Sequence, residues 1–129
     1  DVFRGVGVPE ADAKICADVL ITSDKRGIDS YGIGLLKTIY YDRIRVGIHY
    51  SGYQFRDLHS EGPTNAVVDG HGSMGQVSAL RSMNMAFEKA AKIGIGMVAV
   101  RNSTHYGIAK YYTLMVANRG MIGITYTNA

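Results

Sequence analysis

Between Pro9 and Asp24 apolar residues return every three or four positions, at Ala13, Cys16, Val19 and Leu20, the spacing of one helical face. Proline suits a first helical position and Gly27 supplies a stop, so a helix is predicted over about 9–24. A second helix is predicted after Asp29-Ser30, whose short polar side chains can cap an N-terminus. It carries Leu36, Ile39, Tyr40 and Ile44 on one face and Lys37, Asp42, Arg43 and Arg45 on the other, up to Gly47. From Gly47 to Pro63 the period fails, and Tyr50, Ser51, Gly52, Tyr53 and Gly62 read as an extended, irregular connection.

From Asn65 the pattern changes to short β-branched runs alternating with helical stretches. Asn65–Asp69 is a candidate strand, and Gln76–Lys92 a helix with Leu80, Met83, Phe87 and Ala91 on one stripe and Gly94 as its stop. A buried-type strand Ile95–Val100 follows, then a loop from Arg101 to Gly107, a helix over about Ile108–Asn118 and a strand Met121–Thr127. Strand-helix-strand-helix-strand behind a helical N-terminal layer makes the fold class α/β, with α+β as the variant. Residues 1–62 read as the helical part of a first domain and residues 63–129 as the start of a second.

Composition narrows the field. At 129 residues, 47% hydrophobic and 19% charged, the chain is long enough to bury roughly two-thirds of its unfolded surface and too apolar for intrinsic disorder. The lone Cys16 forbids an internal disulfide, which fits a reducing, cytoplasmic setting. No apolar run approaches the about 20 residues of a spanning helix, so no membrane partner is expected. A net charge of +3 would point to nucleic acid only if the cations clustered. They do not: acids and bases alternate through Asp18, Asp24, Lys25, Arg26, Asp29 and again through Lys37, Asp42, Arg43, Arg45. No nucleic-acid partner is expected, whereas a small anionic ligand needs only two or three placed cations. The chain opens on Asp1 without an initiator Met and stops at Ala129 just after a predicted strand, as expected of a processed chain or a piece of something longer.

Two segments could carry chemistry. Gly70-His71-Gly72-Ser73-Met74-Gly75 fits G-x-G-x-x-G between a strand and a helix, where backbone amides could approach a pyrophosphate; Arg101, after the next strand, would favour a 2′-phosphate. The competing reading is a capped turn, with Ser73 and Gln76 as a capping box. The second segment, Arg101-Asn102-Ser103-Thr104-His105-Tyr106-Gly107, leaves a strand and enters a helix, where α/β folds hold ligands, and His105 there could exchange a proton near neutral pH. His49, His59 and His71 lie in irregular segments without ligand-like spacing, read as solvated, and give no metal site. Asp29-Ser30-Tyr31-Gly32 forms a polar knot between the first helices. The nine tyrosines and six methionines read mostly as packing, and Cys16, on an apolar stripe, as an inert thiol.

The ordered segments resemble the malate/L-lactate dehydrogenase-like family of NAD(P)-dependent 2-hydroxyacid oxidoreductases, which includes sulfolactate and ureidoglycolate dehydrogenases. The matching stretches are Gly7-Val8-Pro9-Glu10 into Ala17-Asp18-Val19-Leu20, Arg26-Gly27-Ile28-Asp29-Ser30, Ala66 to Gly70, Gly94 to Asn102, Thr104 to Ala109, Tyr111-Tyr112, Gly123-Ile124 and Thr127-Asn128. The resemblance implies a non-Rossmann fold, NAD or NADP as cofactor, a small 2-hydroxy or 2-oxo acid such as malate or lactate as substrate, and a homodimer. It implies that His105 is the proton acceptor, with Ser30 and Tyr31 beside it, and that Thr127, Asn128 and Ala129 begin a cofactor-contacting segment. It also turns the Gly70–Gly75 stretch back into a capped turn.

Three positions depart from the family's pattern. Its Ser-His-Gly is Ser30-Tyr31-Gly32 here, which puts a phenol of ordinary pKa about 10 in place of an imidazole. An arginine expected to clamp the substrate carboxylate is Leu35, and a glycine expected before Tyr111 is Lys110. Members of the family are also much longer, so this chain corresponds to an incomplete, N-terminal portion that is expected to be inactive alone. The alternatives are a catalytically inactive homologue serving as a binding or assembly module, and a small NADP-binding domain using Gly70, Gly72, Gly75 and Arg101.

Overall fold

The computed structural model describes residues 1–49 and 58–128. After a short helix α1 (Val2–Gly5), the predicted first helix forms as α2 (Glu10–Lys25), with Pro9 at its N-cap. Its stripe is buried as the spacing requires: Ala13, Cys16, Val19 and Leu20 are all inaccessible, as are Asp12 and Ser23. The second predicted helix is broken into a 3-10 turn (Asp29–Tyr31), a π-helical turn (Leu36–Tyr41) and one turn of α-helix, α3 (Asp42–Arg45), and no side chain caps it. The wide turn keeps Leu36, Ile39, Tyr40 and Ile44 on the core side. Gly32 sits where a Cβ would lie 1.6 Å from Asp24 Oδ1, so a larger residue there would displace the carboxylate that accepts from the Ile33 amide.

The second half is a three-stranded sheet, in the order β1 (Leu58–Glu61), β2 (Asn65–Asp69), β3 (Met97–Arg101), with α4 (Gly75–Ile93) joining β2 to β3 and α5 (Ala109–Ala117) after β3. Strands β2 and β3 run parallel, from Asn65 opposite Met97 to Asp69 opposite Arg101. Strand β1 pairs antiparallel with β2 through a register shift between Leu58 and Ser60, so the irregular stretch expected up to Pro63 contains a strand at its end; residues 50–57 lie outside the described residues. The α/β class is as expected. The strand expected over 121–127 does not form among the described residues: Ile122, Ile124 and Tyr126 project into solvent, and no described strand supplies a ladder.

One core joins the two halves: Phe3, Val8, Ala13, Cys16, Leu20 and Tyr40 from the helical layer meet Met74 and Val77 at the start of α4. A part-buried ion pair, Arg81 to Asp12 at 2.7 Å, ties α4 to α2. The buried face of α4 is not the predicted stripe. Gln76, Ser78 and Ser82 are buried, while Leu80, Met83 and Phe87 are only half-buried and Ala91 is exposed, because the start of α4, with Met74 and Val77, is the part that enters the shared core. Nor does Ser73 make a capping box with Gln76. Met74 is the N-cap, and Ser73 Oγ lies 2.8 Å from Ser78 Oγ instead.

Gly75 marks where this half meets the loop after β3: a Cβ there would lie 2.1 Å from Thr104 O and 2.5 Å from His105 O. Gly75→Ala is therefore expected to destabilise the intact protein by about 1–3 kcal/mol, the usual cost of overpacking a rigid contact. A lowered denaturant midpoint with unchanged slope would register it.

Candidate functional site

The loop from Arg101 to Gly107 is held by two clamps at the C-terminal end of the parallel strands. At the first, the Asp69 carboxylate accepts from the His71 amide (2.9 Å), Arg101 Nε (2.8 Å) and Asn102 Nδ2 (3.1 and 2.9 Å). His71 and Asn102 both take positive φ, at 47° and 50°, to reach it. The His71 amide, then Arg101 and Asn102, push the Asp69 pKa down to about 2. At the second clamp, Thr104 Oγ1 donates to the Ser73 carbonyl (2.9 Å) and accepts from the Gly75 amide (3.0 Å). Both loops are thus fixed to each other, with His105 next along the chain.

Clamping accounts for the glycine motif as well. The Gly70 and Gly72 amides donate to the Arg101 and Asn102 carbonyls, the Ser73 amide to Gly70, and the His71 and Gly75 amides to the clamps. A cradle for pyrophosphate needs free amides, and five here are already engaged. Arg101 is likewise committed to Asp69. The Gly70–Gly75 stretch is a structural turn, and the small NADP-binding domain is set aside on that ground.

His105 meets the helical layer. Its Nδ1 is 2.7 Å from the hydroxyl of Tyr40, and the Gly107 amide donates to the same nitrogen at 3.3 Å. No described residue hydrogen-bonds Nε2. Tyr31 stacks on the imidazole at 5.7 Å, so the polar knot of the sequence reaches the site through its phenol ring. Ser30, beside it, is exposed. The buried Tyr40 ring also lies edge-on to His49, at 6.3 Å.

His49 overturns its expected solvation. The turn after Gly47 folds back, with the Ile48 and His49 amides donating to the Arg43 carbonyl, and leaves the imidazole 2% exposed with neither ring nitrogen partnered among the described residues. Leaving such a group unpaired costs about 1–3 kcal/mol. Burial first, and the Arg43 charge second, depress both imidazoles: His49 falls to about 4, and His105 moves below its ordinary value. Burial raises Tyr40 well above the usual phenol range, keeping its hydroxyl un-ionised, and pushes the Cys16 thiol up to about 12, consistent with an inert thiol.

Tyr40, Arg43 and His49 escaped the sequence argument. Tyr40 stood among core residues, and nothing marked its hydroxyl as facing a histidine 65 positions away. Of the remaining expected residues, Thr127 and Asn128 are exposed, with Thr127 Oγ1 donating to the Asn128 carbonyl, and Ala129 lies outside the described residues. Leu35 packs against the apolar cluster. Lys110 lies in the first turn of α5 without positive φ, so lysine is unstrained where a glycine was expected. No metal-ligand cluster occurs among the described residues, and no helix among them is long and apolar enough to cross a membrane.

The profile of the Malate/L-lactate dehydrogenase family matches residues 1–129. Malate dehydrogenase of Pyrococcus abyssi is 51% identical over 128 residues, which cover 99% of this chain and 35% of that protein. L-sulfolactate dehydrogenase of Methanocaldococcus jannaschii is 42% identical over 128 residues, 99% of this chain and 37% of that one. The solved malate dehydrogenase of Pyrococcus horikoshii OT3 superimposes with a TM-score of 0.89 at 48% identity, over 93% of this chain and 34% of its own. The chain therefore spans about a third of the length of the curated relatives it matches.

Two pH measurements follow from this geometry. A depressed carboxylate stabilises the fold above its unfolded pKa, and that contribution is lost as pH falls through the folded value. Asp69 should therefore contribute a loss of stability between its ordinary 3.8 and about 2, which Asp69→Asn removes from the acid limb of the stability profile. Imidazole proton shifts should show His49 titrating near 4 and His105 below 6.5, with Arg43→Gln moving both midpoints upward. Unmoved midpoints would exclude the Arg43 charge as a cause.

Proposed function

Since the chain belongs to the Malate/L-lactate dehydrogenase family, we propose that the intact polypeptide is an oxidoreductase that moves a hydride between a small 2-hydroxy acid, such as malate or lactate, and NAD or NADP. The observation that carries this is the placement of His105: fixed by a clamped loop at the end of a parallel strand, paired through Nδ1 with a buried tyrosine, and with no described residue bonded to Nε2. In this reading residues 1–62 are the helical part of a first domain and residues 63–129 the start of the cofactor-binding domain. Homodimeric assembly, a cytoplasmic location and the absence of nucleic-acid or membrane partners belong to the same reading, and the 129-residue chain alone is inactive. It is supported by relatives named malate and sulfolactate dehydrogenases.

The chemistry assigned to the chain's own residues is proton handling. In the tautomer that serves as base, Nδ1–H donates to Tyr40 Oη, the long 3.3 Å contact from the Gly107 amide is given up, and the bare Nε2 takes the hydroxyl proton as the alcohol becomes an oxo group. The imidazolium so formed returns that proton to the oxo oxygen in the opposite direction. Tyr40 fits this role because its hydroxyl stays un-ionised and can accept from or donate to Nδ1 as the ring changes tautomer. The depressed pKa of His105 keeps it unprotonated at neutral pH, ready to act as a base. Tyr31 covers one face of the ring and Ser30 offers a hydroxyl at the rim. Thr127 and Asn128 present hydroxyl and carboxamide groups suited to a dinucleotide's ribose and amide, and Ala129 is assigned with them by the family resemblance alone. When bound, the nicotinamide supplies or accepts the hydride.

A second reading is an inactive homologue that serves as a binding or assembly module. It is favoured by Leu35, whose side chain packs into the apolar cluster where the family resemblance implies a carboxylate-clamping arginine. Full-length protein mixed with NADH or NADPH and a panel of 2-oxo acids separates the two. Cofactor oxidation is expected, and His105→Ala should reduce kcat about 10²–10⁴-fold, as removal of a general acid–base does. Unchanged turnover in that variant would remove His105 from the mechanism. No turnover in the parent, persisting after Tyr31→His and Leu35→Arg, would leave the inactive homologue.

A further inference from the structure

Two groups reach the inner nitrogen of His105, and one of them can only donate. The Gly107 amide lies 3.3 Å from Nδ1, and an N–H has nothing to accept with. Its approach is set by the backbone. Gly107 takes φ +82°, and a Cβ there would lie 2.5 Å from Val19 Cγ1, so the turn that brings the amide back to the ring favours glycine on both counts.

The second group is the Tyr40 hydroxyl, 2.7 Å from the same nitrogen. A hydroxyl can donate or accept, but Tyr40 is 0% exposed, and a buried hydroxyl hydrogen needs an acceptor. Among the described residues Nδ1 is the one atom bonded to it. Phe3 and His49 meet the phenol ring edge-on, at 6.1 and 6.3 Å, and neither takes its hydrogen. A proton on Nδ1 would therefore leave the Tyr40 hydrogen without an acceptor and set the Gly107 amide against a second donor. A bare Nδ1 satisfies both.

We propose that Tyr40 and Gly107 are positioning residues that hold the resting His105 in its Nε2–H tautomer. At rest the site then offers an N–H donor to an incoming oxygen, such as the oxo group of a 2-oxo acid, and is not yet a base. The base forms when one proton leaves Nε2 and another settles on Nδ1, through solvent and with no net change in charge. That exchange turns the Tyr40 hydroxyl into an acceptor and opens the Gly107 contact. A ligand hydroxyl donating to the bared Nε2 offsets part of the loss, so the alcohol that needs a base helps to create it. The tautomer rests on the donors around Nδ1, and its use in the reaction rests on the dehydrogenase reading given above.

Proton–nitrogen correlation spectra of the full-length protein with isotope-labelled histidine test this, the His105 signals being identified by their loss in His105→Gln. Above its titration midpoint His105 is expected to show a bare Nδ1 and a protonated Nε2. Tyr40→Phe keeps the ring's volume, the stacked Tyr31, the neighbouring His49 and the Arg43 charge, and removes one donor from Nδ1. The His105 midpoint should then rise by about half to one pH unit, the size of one hydrogen bond to the neutral ring. An Nδ1–H form in the free protein overturns the assignment, and the parent spectrum decides this whether or not the variant folds. A midpoint lowered or unmoved by Tyr40→Phe also overturns it, because a Tyr40 that accepts would stabilise the imidazolium. Either result alongside His105-dependent turnover leaves the dehydrogenase standing. The Nε2–H form and the raised midpoint in a protein without turnover do the reverse.

Discussion

A single carboxylate decides where the chemistry-bearing loop lies. Asp69 ends β2, and its oxygens accept from a turn amide, a guanidinium and a carboxamide, two of which come from the end of β3. Strand pairing alone would bring Arg101 opposite Asp69 and leave the following residues to wander. The carboxylate prevents that by holding Asn102 and His71 in left-handed conformations that ordinary residues avoid. Once Asn102 is fixed, its carbonyl accepts from the Gly72 amide, and Thr104 falls within reach of the Ser73 carbonyl and the Gly75 amide. His105 inherits its position from this chain of contacts.

What the sheet positions, the helical layer completes. Tyr40 reaches His105 from a segment whose hydrogen bonding widens into a π-helical turn, an irregularity often found at functional sites. The same tyrosine is part of the shared core, edge-on to Phe3. Its hydroxyl therefore has little freedom, and packing in the helical layer sets the orientation of an imidazole on the sheet. Neither half contains the site alone.

Regular elements were legible because their signals are local. The stripe Ala13, Cys16, Val19 and Leu20 and the run Asn65–Asp69 form as read. Three features failed for one physical reason, dependence on partners distant in sequence. The alternating residues 121–127 have a strand's pattern but, among the described residues, no neighbouring strand to pair with. The stripe on α4 yielded to Gln76, Ser78 and Ser82 because the start of the helix is the part that joins the core shared with the helical layer. His49 looked solvated in a glycine-punctuated stretch, and only the fold-back onto the Arg43 carbonyl buries it. At the candidate site, His105 and Tyr31 could be picked out from motif order, whereas Tyr40 could not, since an apolar helical face hides a phenol's hydroxyl.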